Sequence, residues 1–151
     1  MKNLIKQMFK KEDLAAIVSA IGEAEKTTAG EIRVSIRQRR KLREKKLSLE
    51  ELARQEFHLL GMTKTKGRTG ILIFLLLEDR KFFILADDGI HAKVEDGTWG
   101  KIADEISNHF SQKNFRLGII HGVKLVGVEL SKYFPEKSGN KNELPNDVHI
   151  R

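Results

Sequence analysis

The chain contains no cysteine. Disulfides, zinc–thiolate centres and thiol nucleophiles are therefore excluded, and the composition suits a reducing compartment. Only two prolines occur in 151 residues, which leaves little room for extended linkers. Long apolar runs are missing as well. The longest, Ile71 to Leu77, falls far short of the about 20 residues that cross a bilayer. The opening MKNLIKQMFKKEDL has neither a sustained apolar stretch nor a small-residue cleavage site, so it does not read as a secretory signal. There is no internal repeat. The expectation is a soluble, cytoplasmic monomer with no membrane span.

At this length the simplest organisation is one domain, residues 1–135, able to bury a real core. The remaining 136–151 are expected to form a flexible tail, with Leu144 and Ile150 able to dock. The formal net charge is +7, but RQRRKLREKK (37–46) holds seven basic residues and one Glu. Six of the seven net charges thus reside in one loop, and the rest of the chain is nearly neutral.

Leu14, Ile17, Val18 and Ile21 recur at helical spacing and predict an amphipathic helix over 11–26. GEIRVSIR (30–37) alternates Ile32, Val34 and Ile36 with Glu31, Arg33 and Ser35, which predicts a half-buried strand. Beyond the basic loop, Ser48 and Glu51 form an S-x-x-E capping box. Leu49, Leu52, Ala53 and Leu60 give that helix an apolar face, and Gly61 ends it. GILIFLLL (70–77) is continuously apolar, as a strand covered on both faces should be. Strand, helix and strand make a right-handed crossover with parallel strands. The short EDR connection then returns KFFILA (81–86) as an antiparallel hairpin partner.

DDGIHAKVEDG (87–97) reads as a polar loop. Thr98 is the expected cap of a helix with the stripe Trp99, Ile102, Ala103, Ile106 and Phe110. A last helix over 114–133 places Phe115, Ile119, Val123, Val126 and Leu130 inward. Gly118, Gly122 and Gly127 allow close packing there, at ~1 kcal/mol each relative to Ala. The fold class is α/β, a three-layer αβα sandwich with a small mixed β-sheet flanked by helices.

This topology sorts the polar residues to two ends of the sheet. The basic loop (Arg37, Arg39, Arg40, Lys41, Arg43, Lys45, Lys46) and the Glu78-Asp79-Arg80 turn, read as solvated, lie at one end. TTAGE (27–31), KGRTG (66–70) and ADDG (86–89) lie at the other. Glu31, Asp87, Asp88 and Asp96 are the candidates for convergence, with Thr28, Arg68 and Thr69 beside them. Clustered carboxylates repel unless protonated or bound to a cation, and an all-oxygen set suits Ca²⁺ or Mg²⁺. The plainer reading competes: Asp87-Asp88-Gly89 also makes a turn, and Asp96 a helix start. In open α/β sheets ligands favour the carboxyl ends of parallel strands, here the basic end, but two parallel strands give that rule little force.

TTAGEIRV, GRTGILIFLLLEDRKFFILADDGI and EDGTWGKIADEISNHFSQKNFRLGIIHGVKLVGVELSKYFP together resemble the TPM domain family, from about residue 11 to Pro135. The similarity is greatest to stand-alone bacterial members. The family also includes thylakoid-lumen, photosystem II repair and nematode acetylcholine-receptor auxiliary proteins. The resemblance implies an αβα sandwich. It also implies Ca²⁺ or Mg²⁺ in an acidic cleft, with Glu31, Asp87, Asp88 and Asp96 as ligands, and a phosphatase activity suggested for the plant branch. Thr69-Gly70 stands where many relatives have Asn-Gly. Many relatives are also exported and anchored, whereas no signal or anchor is evident here.

Three functions follow as expectations. The first is a metal-dependent binding or assembly module, acting on a protein partner or a phosphorylated ligand. The second is a metal-dependent phosphatase, with Arg68 as phosphate clamp and Asp88 or Glu31 orienting water. No D-x-D-x-T, Cys-based loop or dimetal His/Asp pattern supports the second, and GMTKTKGRT (61–69) lacks P-loop spacing. The third is nucleic-acid or anionic-surface binding through loop 37–46, which carries no aromatic for base stacking. Among the five histidines only His91, beside the acidic loop, has a position of interest.

Overall fold

The computed structural model describes residues 3–135 and 148–151. A short helix α1 (Leu4–Met8) precedes α2 (Lys11–Glu25), strand β1 (Glu31–Arg37), a 3₁₀ turn (Leu42–Glu44) and α3 (Leu49–Leu59). A second 3₁₀ turn (Met62–Lys64) leads to β2 (Gly70–Leu76), β3 (Lys81–Ala86), α4 (Asp88–His91), α5 (Thr98–Ser111), α6 (Phe115–Tyr133) and β4 (Val148–Ile150). The strand order is β3-β2-β1-β4. As expected, β1 and β2 are parallel, with Glu31 opposite Gly70, and β3 returns antiparallel, with Ala86 opposite Ile71.

Alternation of side chains across the sheet produces two cores. Ile32, Val34, Ile36, Ile71, Ile73, Leu75 and Ile84 pack with Ile17 and Ile21 of α2, Ile102 and Ile106 of α5, and Ile119, Val123, Val126 and Leu130 of α6. On the opposite face Leu72, Phe74, Leu76 and Leu85 meet Leu52, Ala53 and Phe57 of α3 and Met62. β2 is apolar on both faces because helices cover both. The helix stripes approach closely at two glycines: a Cβ on Gly122 would lie 2.5 Å from Ile106 Cδ1, and one on Gly127 2.9 Å from Ala24 Cβ. The C-terminus of α3 closes at Gly61, whose φ of +72° is the left-handed conformation glycine adopts without strain. Ser48 caps the other end, its side chain accepting the Glu51 N–H at 3.0 Å.

Four expectations need correction. β1 is buried at all seven positions, not half-buried, because β4 pairs along its other edge and the polar side chains of its second face find partners. Ser35 Oγ donates to Glu56 of α3 and Arg37 pairs with Glu44. Residues 87–97 include a helical turn, α4, capped by Asp87. The N-cap of α5 is Gly97, at φ +85°, and Thr98 is its first helical residue. Finally, the segment read as a flexible tail ends in an edge strand, where Ile150 docks as expected: Val148 and Ile150 pair parallel to Val34 and Ile36. Arg151 N–H donates to Ile36 O at 2.9 Å, and its guanidinium pairs with Glu56. Leu144, with the rest of 136–147, lies outside the described residues.

Candidate functional site at the acidic end of the sheet

Three segments meet where β1 and β2 begin and β3 ends. Glu31 N–H donates to Thr69 O at 3.0 Å, and Asp87 N–H to Gly70 O at 2.9 Å. The turn before β2 reaches across to α4. Arg68 adopts φ +54°, a left-handed conformation uncommon outside glycine. Its carbonyl accepts the Gly89 N–H at 3.0 Å. Gly89 is required by that approach, since a Cβ there would lie 2.2 Å from Gly67 O and 2.6 Å from Arg68 O, both backbone atoms.

Arg68 then turns its side chain onto Asp87. Nε and Nη2 donate to the two carboxylate oxygens, each at 2.9 Å. This is a bidentate fork, the stronger form of an Arg–carboxylate pair. Asp87 Oδ1 also accepts the Asp88 N–H at 2.8 Å and so starts α4. Asp88 lies 3.7 Å from Arg68 Nη2 with its side chain 89% exposed, whereas Asp87 is buried. The Asp87 charge in turn raises the Arg68 pKa above its usual value through that hydrogen bond.

The other predicted residues are placed as follows. Glu31 is 2% exposed. Thr28 is buried and used structurally, its hydroxyl accepting the Gly30 N–H at 3.0 Å and donating to Phe134 O. Thr69 is buried, with its backbone N–H on Thr65 Oγ1. Asp96 lies exposed in the turn before α5, away from the hydrogen bonds and ion pairs of the rim among the described residues, and His91 is exposed at the end of α4. Among the described residues no group of three or more His, Cys, Asp or Glu side chains is gathered to hold a metal ion. Glu31, Asp87 and Asp88 thus share one end of the sheet, but the four acids do not form one ligand set in this arrangement.

A further acid, Glu25, was not anticipated at this end. Glu25, the last residue of α2, is hydrogen-bonded side chain to side chain with Glu31. Its Oε2 accepts the Ile32 N–H at 2.7 Å. Burial, followed by repulsion from Glu31, pushes its pKa up to about 8 against the backbone bond that lowers it. One carboxyl of the pair is therefore protonated at neutral pH. The signal was in the sequence: position 25 follows Ile21 by four and continues the apolar stripe of α2, where a carboxylate has no reason to sit without a partner.

The basic end is also more ordered than its sequence suggests. Arg37 is buried against Glu44, and that hydrogen bond first of all holds the Glu44 pKa down to about 2. Arg40 Nε donates to Asp79 at 2.8 Å, its Nη1 bonds the Glu44 and Leu47 carbonyls, and Arg39 lies 3.5 Å from Glu78. The Glu78-Asp79 turn is thus a bracket for the basic loop rather than a purely solvated connection.

An open α/β sandwich with a mixed four-stranded sheet and an acidic rim is the class defined by these features. The TPM domain profile matches residues 5–128, and the chain belongs to that family. It is similar to the BA42 protein of the psychrophilic bacterium Bizionia argentinensis, with 37% identity, a TM-score of 0.86 and 95% of each chain covered. The N-terminal domain of a protein from P. gingivalis shares the fold at 20% identity and TM-score 0.67, over 84% of this chain and 79% of that one. So does the N-terminal domain of the cg2496 protein from Corynebacterium glutamicum, at 16% identity and TM-score 0.62, over 85% and 78%. No curated protein matches the chain. Among the described residues no helix is long and apolar enough to cross a membrane.

Proposed function

We propose that this TPM domain is a divalent-cation-responsive binding or assembly module whose acidic rim exchanges Arg68 for Ca²⁺ or Mg²⁺. The observation that carries the reading is the Asp87 carboxylate, which turns both oxygens onto a positive charge supplied by the chain itself. Arg68 is half-exposed, so a cation that displaces its fork from Asp87 leaves the guanidinium a path into water. A hard cation taking its place would draw on Asp87 and Asp88, with Glu31 as a further acid at the same end of the sheet. The partner is a protein or a phosphorylated ligand that reads the switched rim.

A metal-dependent phosphatase has weaker support, since Arg68 spends its fork on Asp87 instead of presenting it to a phosphate. Melting the protein with Ca²⁺, Mg²⁺ or chelator tests the reading. Binding to the native state must raise stability, by about 2.7 kcal/mol at a hundredfold excess over Kd. An unchanged melting temperature at millimolar ion would remove the cation from the account, and phosphate release from a generic phosphomonoester would favour the enzyme.

A further inference from the structure

The seven cations of the basic loop divide into two sets. Arg37, Arg39 and Arg40 are engaged with Glu44, Glu78 and Asp79. Lys41, Arg43, Lys45 and Lys46 are exposed and join no ion pair among the described residues. The engaged set braces the loop from behind, so the 3₁₀ turn Leu42–Glu44 stands out as a defined tip. At that tip Leu42 is 81% exposed, more than any other large apolar side chain of the described residues. The hairpin turn held by Arg40 and Asp79 adds Arg80 and Lys81, both exposed, at the same end.

An exposed apolar side chain flanked in sequence by four exposed cations, of which Lys41 alone feels a neighbouring carboxylate (Glu44), has a specific complement. Anionic headgroups meet the charges, and the acyl boundary beneath them accepts the leucine. Single-stranded nucleic acid would satisfy the charges but offers Leu42 nothing, and the loop has no ring on which a base could stack. We propose that residues 41–46, with Arg80 and Lys81, form a docking surface for an anionic lipid bilayer, with Leu42 as its inserted tip. This surface is independent of the cation reading at the opposite end.

Co-sedimentation with phosphatidylcholine vesicles, with and without one-third phosphatidylglycerol, tests it. The full chain should partition onto the anionic vesicles only, and lose that partition as salt shortens the Debye length from about 10 Å toward 3 Å. Each change of Lys41, Arg43, Lys45 or Lys46 to Gln should weaken partition about fivefold, and Leu42→Ser about tenfold. All five residues are exposed, so an unchanged melting temperature will show that the variants fold. Equal binding to both vesicles, or partition indifferent to Leu42→Ser and to the fourfold Gln variant, would overturn the proposal. So would retention of single-stranded RNA without any partition onto vesicles.

Discussion

The two ends of the sheet face the same electrostatic problem with opposite signs. At the acidic end two measures contain the repulsion: Glu25 keeps a proton beside Glu31, and Arg68 supplies a positive charge to Asp87. At the basic end three carboxylates fasten three arginines, and the surplus cations are left in water. The acidic rim is therefore closed upon itself, whereas the surplus cations of the basic tip are left exposed. Counting charges along the chain does not reveal that difference. It depends on which charges are buried, because a buried ion needs a partner and an exposed one does not.

The largest break in this comparison should come from Glu44→Ala. It strands the buried Arg37 guanidinium and should cost about 3–5 kcal/mol, read from urea unfolding. Asp79→Ala, at a partly exposed pair, should cost about 1 kcal/mol or less. Gly89→Ala attacks the acidic end, where the new methyl meets two backbone carbonyls that cannot rotate away. A loss of about 1–3 kcal/mol is expected, together with loss of any cation response.

Glu25 gives the acidic end a pH signature. Its folded pKa of about 8 exceeds the ordinary 4.5, so the native state holds a proton that the unfolded chain releases between those values. The stability contributed by the protonated form is fully present below about pH 4.5 and is lost as pH rises through about 8. Melting temperatures across that range should fall less steeply in Glu25→Gln than in the parent. A parallel fall in both would locate the titration elsewhere. Arg68→Gln leaves the buried Asp87 carboxylate without its guanidinium and should cost about 1–3 kcal/mol, yet it should strengthen the cation response: with the competing guanidinium gone, the same concentration of Ca²⁺ should raise the melting temperature further than in the parent.

Most of the fold was legible because periodicity and turn chemistry agree over 11–133. The apolar run 70–77 could only be covered on both faces, and EDR between two such runs could only be a tight hairpin. What escaped was the partner of each buried charge. β1 alternates like a half-solvated strand, yet its polar face is buried because Glu56 sits on α3 at the stripe position seven residues after Leu49. Glu25 makes the same exception on α2. An acid on an apolar stripe was the readable sign in both cases, but its partners, Glu31 for one and Ser35 and Arg151 for the other, are set by tertiary packing. β4 escaped for a related reason, since three residues after a long polar segment carry no periodicity of their own. Topology alone puts the segments of Glu31, Asp87 and Asp88 at one end of the sheet, where Glu31 N–H bonds Thr69 O and Asp87 N–H bonds Gly70 O. The Arg68–Asp87 fork was not foreseeable, because it follows from the left-handed backbone of Arg68 and its contact with Gly89.

The central claim is that cations enter at the rim held by Arg68. Following backbone amide signals during a Ca²⁺ titration of the parent and of Arg68→Gln tests it most directly. The account predicts shifts centred on residues 67–70 and 87–89 in both, reaching saturation at lower Ca²⁺ in the variant. Shifts confined to residues 37–46 and 78–81, or none at all, would contradict it.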